Sequence, residues 1–151
     1  MKQSYLEALA CIERLHRRLL DVIKDELDRI GCTEINSVQA LLLYNIGEAE
    51  MTAGELRTRG HYLGSNVSYN LKKLVETGYI SHQRSEIDRR SVRVRLTPTG
   101  LNVCNAINDL YTRHCEVLSE NGELDVKALQ FVSTTLHRLD RFWTEQIRFR
   151  I

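Results

Sequence analysis

Proline is nearly missing from this chain: one residue in 151, Pro98, and the eight glycines are scattered. No Pro-rich or Gly/Ser-rich tether separates one part from another, so any domain boundary must be a structural joint. The four cysteines, Cys11, Cys32, Cys104 and Cys115, form no C-x-x-C pair and have no histidine at zinc-ligand spacing. Reduced thiols acting as small apolar side chains are the expectation, with a redox sensor as the alternative. No apolar run, Ala40–Leu43 included, comes near the ~20 residues of a membrane span, and the N-terminus lacks an apolar signal segment. A cytoplasmic protein without a membrane partner is expected.

Catalytic patterns are equally scarce. His16, His61, His82, His114 and His137 form no H-E-x-x-H, and neither a glycine-rich phosphate loop nor a G-x-S-x-G turn occurs. His137 and Asp140 stand one helical turn apart but lack a third ligand. Neither an enzyme nor a metal or cofactor site is expected. What is present, 42% hydrophobic and 27% charged residues, suits one or two globular domains with a core that needs no disulfide.

The net charge of +1 hides an uneven distribution. Residues 1–54 carry six basic and nine acidic side chains, residues 55–95 nine and four, and residues 96–151 six and seven. A basic centre between acidic flanks fits a polyanion-binding module on an acidic scaffold; it also fits an ordinary solvated face, and charge alone does not choose.

Apolar residues from Leu6 to Ile30 recur at three- and four-residue steps, predicting a helix over 4–30 that Gly31 stops. Shorter helices follow over 37–46, from about Leu56 to Gly60 behind a Thr52-Ala53-Gly54-Glu55 capping box, and over 65–76 before Thr77-Gly78. The period then changes to two: Tyr79-Ile80 opens one strand, and Ser91–Leu96 forms a second with Val92, Val94 and Leu96 on one face and Arg93 and Arg95 on the other. Thr97-Pro98 starts a helix to about Leu118, and Asp125–Phe149 is a last amphipathic helix. The fold class is therefore mainly α with a small β-hairpin: a winged helix-turn-helix domain over 36–98, between an N-terminal dimerisation helix (1–35) and C-terminal dimerisation helices (99–151). The three long amphipathic helices outreach the short ones, so a second subunit is the simplest cover for their apolar stripes.

On a helical wheel of 65–76, Val67, Leu71, Leu74 and Val75 share one arc. Ser65, Tyr69, Lys72 and Lys73 project oppositely, with Asn66 beside them and Ser68 on the same segment. Such side chains hydrogen-bond base edges in a major groove or neutralise phosphate; an ordinary surface helix would show the same wheel. The hairpin separates the two: Arg84, Arg89, Arg90, Arg93 and Arg95 fall within twelve residues, and a wing can insert arginine into a minor groove. Asp88, the acid among them, is expected to pair with a guanidinium and fix the loop. A winged protein-interaction scaffold without specific DNA binding is the alternative, and salt dependence of binding separates the two.

The ordered set Glu55-Leu56, Ser65–Ser68, Leu71–Leu74, Glu76–Ile80, Asp88-Arg89-Arg90 and Val94–Gly100 resembles the multiple-antibiotic-resistance regulator (MarR) family of winged-helix repressors. Tyr62–Lys73 is similar to a subgroup containing a regulator of an L,D-transpeptidase gene. The resemblance implies an obligate homodimer acting as a repressor on pseudo-palindromic double-stranded DNA. It implies that Ser65–Lys73 is the recognition helix, that Asp88 orients the wing, and that Arg90, with Arg89, enters the minor groove. It also implies a small aromatic or anionic effector in a crevice, for which His16, Arg17, Arg18 and Tyr44 are the candidate lining. Arg57 and Gly60 depart from the family's usual alanine and leucine.

Overall fold

Helix α1 covers Lys2–Arg29. It stops where the sequence says it should: Gly31 takes φ +74°, its N–H reaches Asp28 O, and Cys32 N–H reaches Leu27 O at 2.8 Å. These two bonds absorb carbonyls that the last turn would leave unpaired. The computed structural model describes residues 1–60, 64–84 and 92–149, and the side chains of these apart from 60, 64 and 65.

Helix α2 (Ser37–Ile46) opens on a reciprocal cap in which Asn36 Oδ1 accepts from Gln39 N–H and Gln39 Oε1 accepts from Asn36 N–H. Strand β1 (Met51–Thr52) leads into α3 (Ala53–Gly60), where the expected Thr52 cap is present: Thr52 Oγ1 accepts from Glu55 N–H at 3.1 Å. Helix α4 (Gly64–Glu76), strands β2 (Ile80–Arg84) and β3 (Val92–Leu96), and helices α5 (Pro98–Asn121) and α6 (Val126–Phe149) complete the described chain.

The sheet corrects one detail of the sequence reading. It has three antiparallel strands in the order β1-β3-β2, because Met51 and Thr52 pair with Val94 and Arg93. Two residues are too few to display a period of two, so only pairing with β3 makes them a strand. The β2 strand also runs on to Arg84, past the Tyr79-Ile80 start that the sequence suggested.

The described chain divides into two compact units, residues 1–110 and 111–151. In the first, Ile23 and Leu27 of α1, Ala40, Leu42, Leu43 and Ile46 of α2, Leu56 of α3, Val67, Leu71 and Leu74 of α4, Val94 and Leu96 of β3, and Val103 and Ile107 of α5 are buried. Burying each such large side chain contributes roughly 1.5–3 kcal/mol, and α2, with five buried residues in ten, is central to this core. In the second unit, α6 starts on an Asp125 cap, with Ala128 N–H donating to Asp125 Oδ1 at 2.7 Å. No described residue of α6 is buried, and Val126, Leu129, Phe131, Val132, Leu136 and Phe142 are exposed on it.

Candidate nucleic-acid interface

Helix α4 is set by its apolar arc. Val67, Leu71 and Leu74 are buried, which turns Asn66, Ser68, Tyr69, Lys72 and Lys73 outward. Tyr69 is 61% exposed, unusual for so large a ring. Ser65 lies in the first turn of α4, its side chain outside the described residues. The helix ends like α1: Gly78 takes φ +86°, and Tyr79 N–H returns to Leu74 O at 2.9 Å. That turn delivers the chain directly into β2.

The wing strands sort the arginines by face. Residues opposite one another in an antiparallel pair share a face, so Ile80, His82 and Arg84 lie on the side of Leu96, Val94 and Val92, while Ser81 and Gln83 accompany Arg95 and Arg93. Arg93 and Arg95 are exposed together, and Arg84 is exposed on the other face. Asp88, Arg89 and Arg90 lie outside the described residues.

One knot holds these parts in register. Thr97 Oγ1 donates to Gly78 O at 2.6 Å and accepts from Gly100 N–H at 3.2 Å, while Thr97 N–H donates to Tyr79 O at 3.1 Å. The end of α4, the start of β2, the end of β3 and the start of α5 meet there. The Tyr79 hydroxyl donates to Glu34 Oε2 at 3.0 Å and lies 3.5 Å from Cys32 Sγ, which pins the α1–α2 connection to the same point. Burial, then these two hydrogen bonds, push the phenol above its ordinary range.

Two groupings escape a reading of the sequence alone. Tyr79, Glu34 and Cys32 are 45 and 47 residues apart in the pairs they form, and no periodicity reports such a contact. Asn70, 9% exposed, binds Gln39, 8% exposed, with Gln39 Nε2 donating to Asn70 Oδ1 at 3.2 Å. The wheel does carry a signal here, since Asn70 falls on the edge of the arc of Val67, Leu71 and Leu74.

His16 and Arg17 are exposed on α1, as is Arg18, and Tyr44 is half-buried on α2. A cavity of about 310 Å³ is lined by Lys24, Leu27, Asp28, Cys32, Thr33 and residues 35–37, and an apolar cleft of about 490 Å³ between α4 and the sheet is lined by Leu71, Val75, Val92 and Val94 among others. The effector candidates line neither. Among the described residues no three His, Cys, Asp or Glu side chains gather to hold a metal ion, and no helix is long and apolar enough to cross a membrane.

Residues 35–100 match the winged helix DNA-binding domain family. Over 148 residues the chain is 38% identical to the exopolysaccharide II synthesis transcriptional activator ExpG of Rhizobium meliloti, covering 98% of this chain and 76% of that one. In fold it is similar to the transcriptional regulator SlyA (TM-score 0.77, 19% identity, 95% of this chain and 99% of that one). It is also similar to a mutant MarR from E. coli complexed with operator DNA (TM-score 0.71, 17% identity, 90% and 95%). The fold and site thus define a winged-helix DNA-binding transcriptional regulator. The chain belongs to the family of winged-helix transcriptional regulators that includes ExpG, and its fold is that of MarR.

Proposed function

We propose that the protein is a homodimeric transcriptional regulator of the cytoplasm that reads a pseudo-palindromic operator in double-stranded DNA. The observation that carries this reading is the outward row of Asn66, Ser68, Tyr69, Lys72 and Lys73 on α4, opposite its buried arc. Amide and hydroxyl groups on such a row read base edges, and its lysines neutralise phosphate. Ser65 extends the row by position. Arg93 and Arg95 on one face of the wing, and Arg84 on the other, supply further phosphate contacts. Asp88, Arg89 and Arg90 are proposed as the wing tip, with the acid orienting the loop and arginine entering the minor groove.

Dimerisation is supported by the apolar side chains left exposed on α1 (Leu6, Leu15 and Leu19) and along α6. Isolated exposed leucines need no explanation, but rows of them along helices of 28 and 24 residues do. A two-fold dimer presents two recognition helices to half-sites about one DNA turn, roughly 34 Å, apart. Selection of bound fragments from a random duplex pool tests the whole reading. A palindrome with half-sites one turn apart is the expected result; enrichment of no sequence contradicts it and favours a protein-interaction scaffold.

The direction of control follows where the operator lies. A site overlapping a promoter gives repression; the relative from Rhizobium meliloti is named as an activator, which favours activation as a second reading. A reporter driven by the selected operator distinguishes them. The relative's name also supports target genes for exopolysaccharide synthesis, and the likeness to a regulator of an L,D-transpeptidase gene supports cell-wall targets. A small aromatic or anionic effector near His16, Arg17 and Tyr44 is proposed as the control signal. Thermal melts against aromatic carboxylates test it, and a midpoint that none of them shifts contradicts it.

A further inference from the structure

Most of the surface that fixes α4 is apolar, and apolar contact is non-directional: Val67, Leu71 and Leu74 would tolerate some rotation of the helix about its axis. A hydrogen bond between two buried amides does not. Turning α4 by one residue swings each side chain through ~100°, which would carry Asn70 away from Gln39 and leave the buried Gln39 Nε2 without this acceptor. The bond is therefore made at one azimuth of the recognition helix.

Gln39 is itself held from two sides. Its Oε1 accepts from Asn36 N–H at 3.0 Å, and its own N–H donates to Asn36 Oδ1 at 2.9 Å. Nearby, Ser37 Oγ donates to Leu20 O of α1 at 2.7 Å. The side chain that caps α2 thus also reaches α4, so a hydrogen-bonded path runs from the α1 backbone through the start of α2 to the middle of the recognition helix. Tyr69 is the residue before Asn70, and Lys72 and Lys73 follow within one turn; all three are exposed. Their direction is fixed by whatever fixes Asn70.

We infer that Gln39 and Asn70 are positioning residues for base readout: neither touches DNA, and together they set the angle at which α4 presents its outer row. The inference rests on the DNA-binding reading above. It separates two quantities that are usually confounded, since phosphate contacts survive a small rotation while base contacts, which need aligned donors and acceptors, do not.

The experiment measures affinity for a duplex enriched by the wild type from a random pool and for a scrambled duplex of equal length and composition, at one salt concentration, beside the melting temperature. Asn70→Leu leaves Gln39 Nε2 without its acceptor and lowers the melting temperature; Gln39→Leu combined with Asn70→Leu removes that unpaired donor but also the acceptor for Asn36 N–H, and so recovers part of it. Both variants should lose about tenfold or more in discrimination between the duplexes, with scrambled-duplex affinity nearly unchanged. Asn70→Asp keeps an acceptor oxygen for Gln39 and should retain discrimination, which gives an answer even if the double variant fails to fold. A double variant with recovered melting and full discrimination overturns the inference, as does Asn70→Leu weakening both duplexes equally. If the wild type enriches no sequence, the DNA reading itself falls, and this inference with it.

Discussion

The backbone of Gly100 lies directly against the carbonyl of Tyr79: a Cβ on Gly100 would stand 2.1 Å from that oxygen and 3.2 Å from its carbon. Neither group can retreat easily, since Tyr79 O also accepts from Thr97 N–H and Tyr79 N–H is committed to Leu74. Gly100→Ala should therefore cost about 3 kcal/mol or more in urea unfolding, by overpacking against fixed backbone. Gly54 is the control. A Cβ there meets only Thr52 Oγ1 at 3.8 Å, so Gly54→Ala should leave stability unchanged or raise it by up to about 1 kcal/mol. Equal effects of the two substitutions would contradict the close approach.

Tyr79 predicts a loss of stability in alkali. Its phenol is held above the ordinary value of 10.0 by burial and by its bonds to Cys32 and Glu34. The folded state thus keeps a proton that the unfolded chain releases above about pH 10, so this contribution is intact below that pH and declines above it. Relative to Tyr79→Phe, the wild type should lose up to about 1.4 kcal/mol per pH unit once that point is passed. Parallel curves for the two proteins would refute the assignment.

The thiols should differ in reactivity. Cys11 and Cys115 are exposed, whereas Cys104 is half-buried and its thiol is pushed up by burial and by the charge of Glu48. The thiolate is the nucleophile, so a raised value slows attack near neutral pH. Peptide mass spectrometry after a brief maleimide pulse should find Cys11 and Cys115 labelled first and Cys104 well behind. Cys104 labelling as fast as either would contradict this.

Tyr69 makes the clearest single-residue case on the outer face of α4. Because the ring is 61% exposed, Tyr69→Ala should change stability by no more than about 0.5 kcal/mol. Affinity for a selected duplex should nevertheless fall by about tenfold. A variant with unchanged affinity would remove Tyr69 from the contact surface.

Much of this architecture is legible in the sequence because it is local. Gly31, Gly47 and Gly78 mark helix ends through a positive φ, Thr97-Pro98 marks a start, and the alternation of Val92, Val94 and Leu96 marks a strand. These signals act over a few residues and survive in any sequence window. Met51 and Thr52 are not legible as a strand, because Val94, the partner of Met51, is 43 residues away in the sequence. Arg84 groups with Arg93 and Arg95 by sequence, and only the register of β2 on β3 separates their faces. The Gln39–Asn70 bond likewise spans 31 residues. Long-range pairing depends on how helices and strands pack, which neither propensity nor periodicity encodes.

The claim that α4 lies on DNA is tested most directly by the salt dependence of duplex affinity, compared between the wild type and a variant with Lys72 and Lys73 both changed to alanine. The wild type should show log affinity falling linearly with log salt, and the variant a slope shallower by about 0.9 for each phosphate that the two lysines neutralise. Identical slopes and affinities for the two proteins would contradict it.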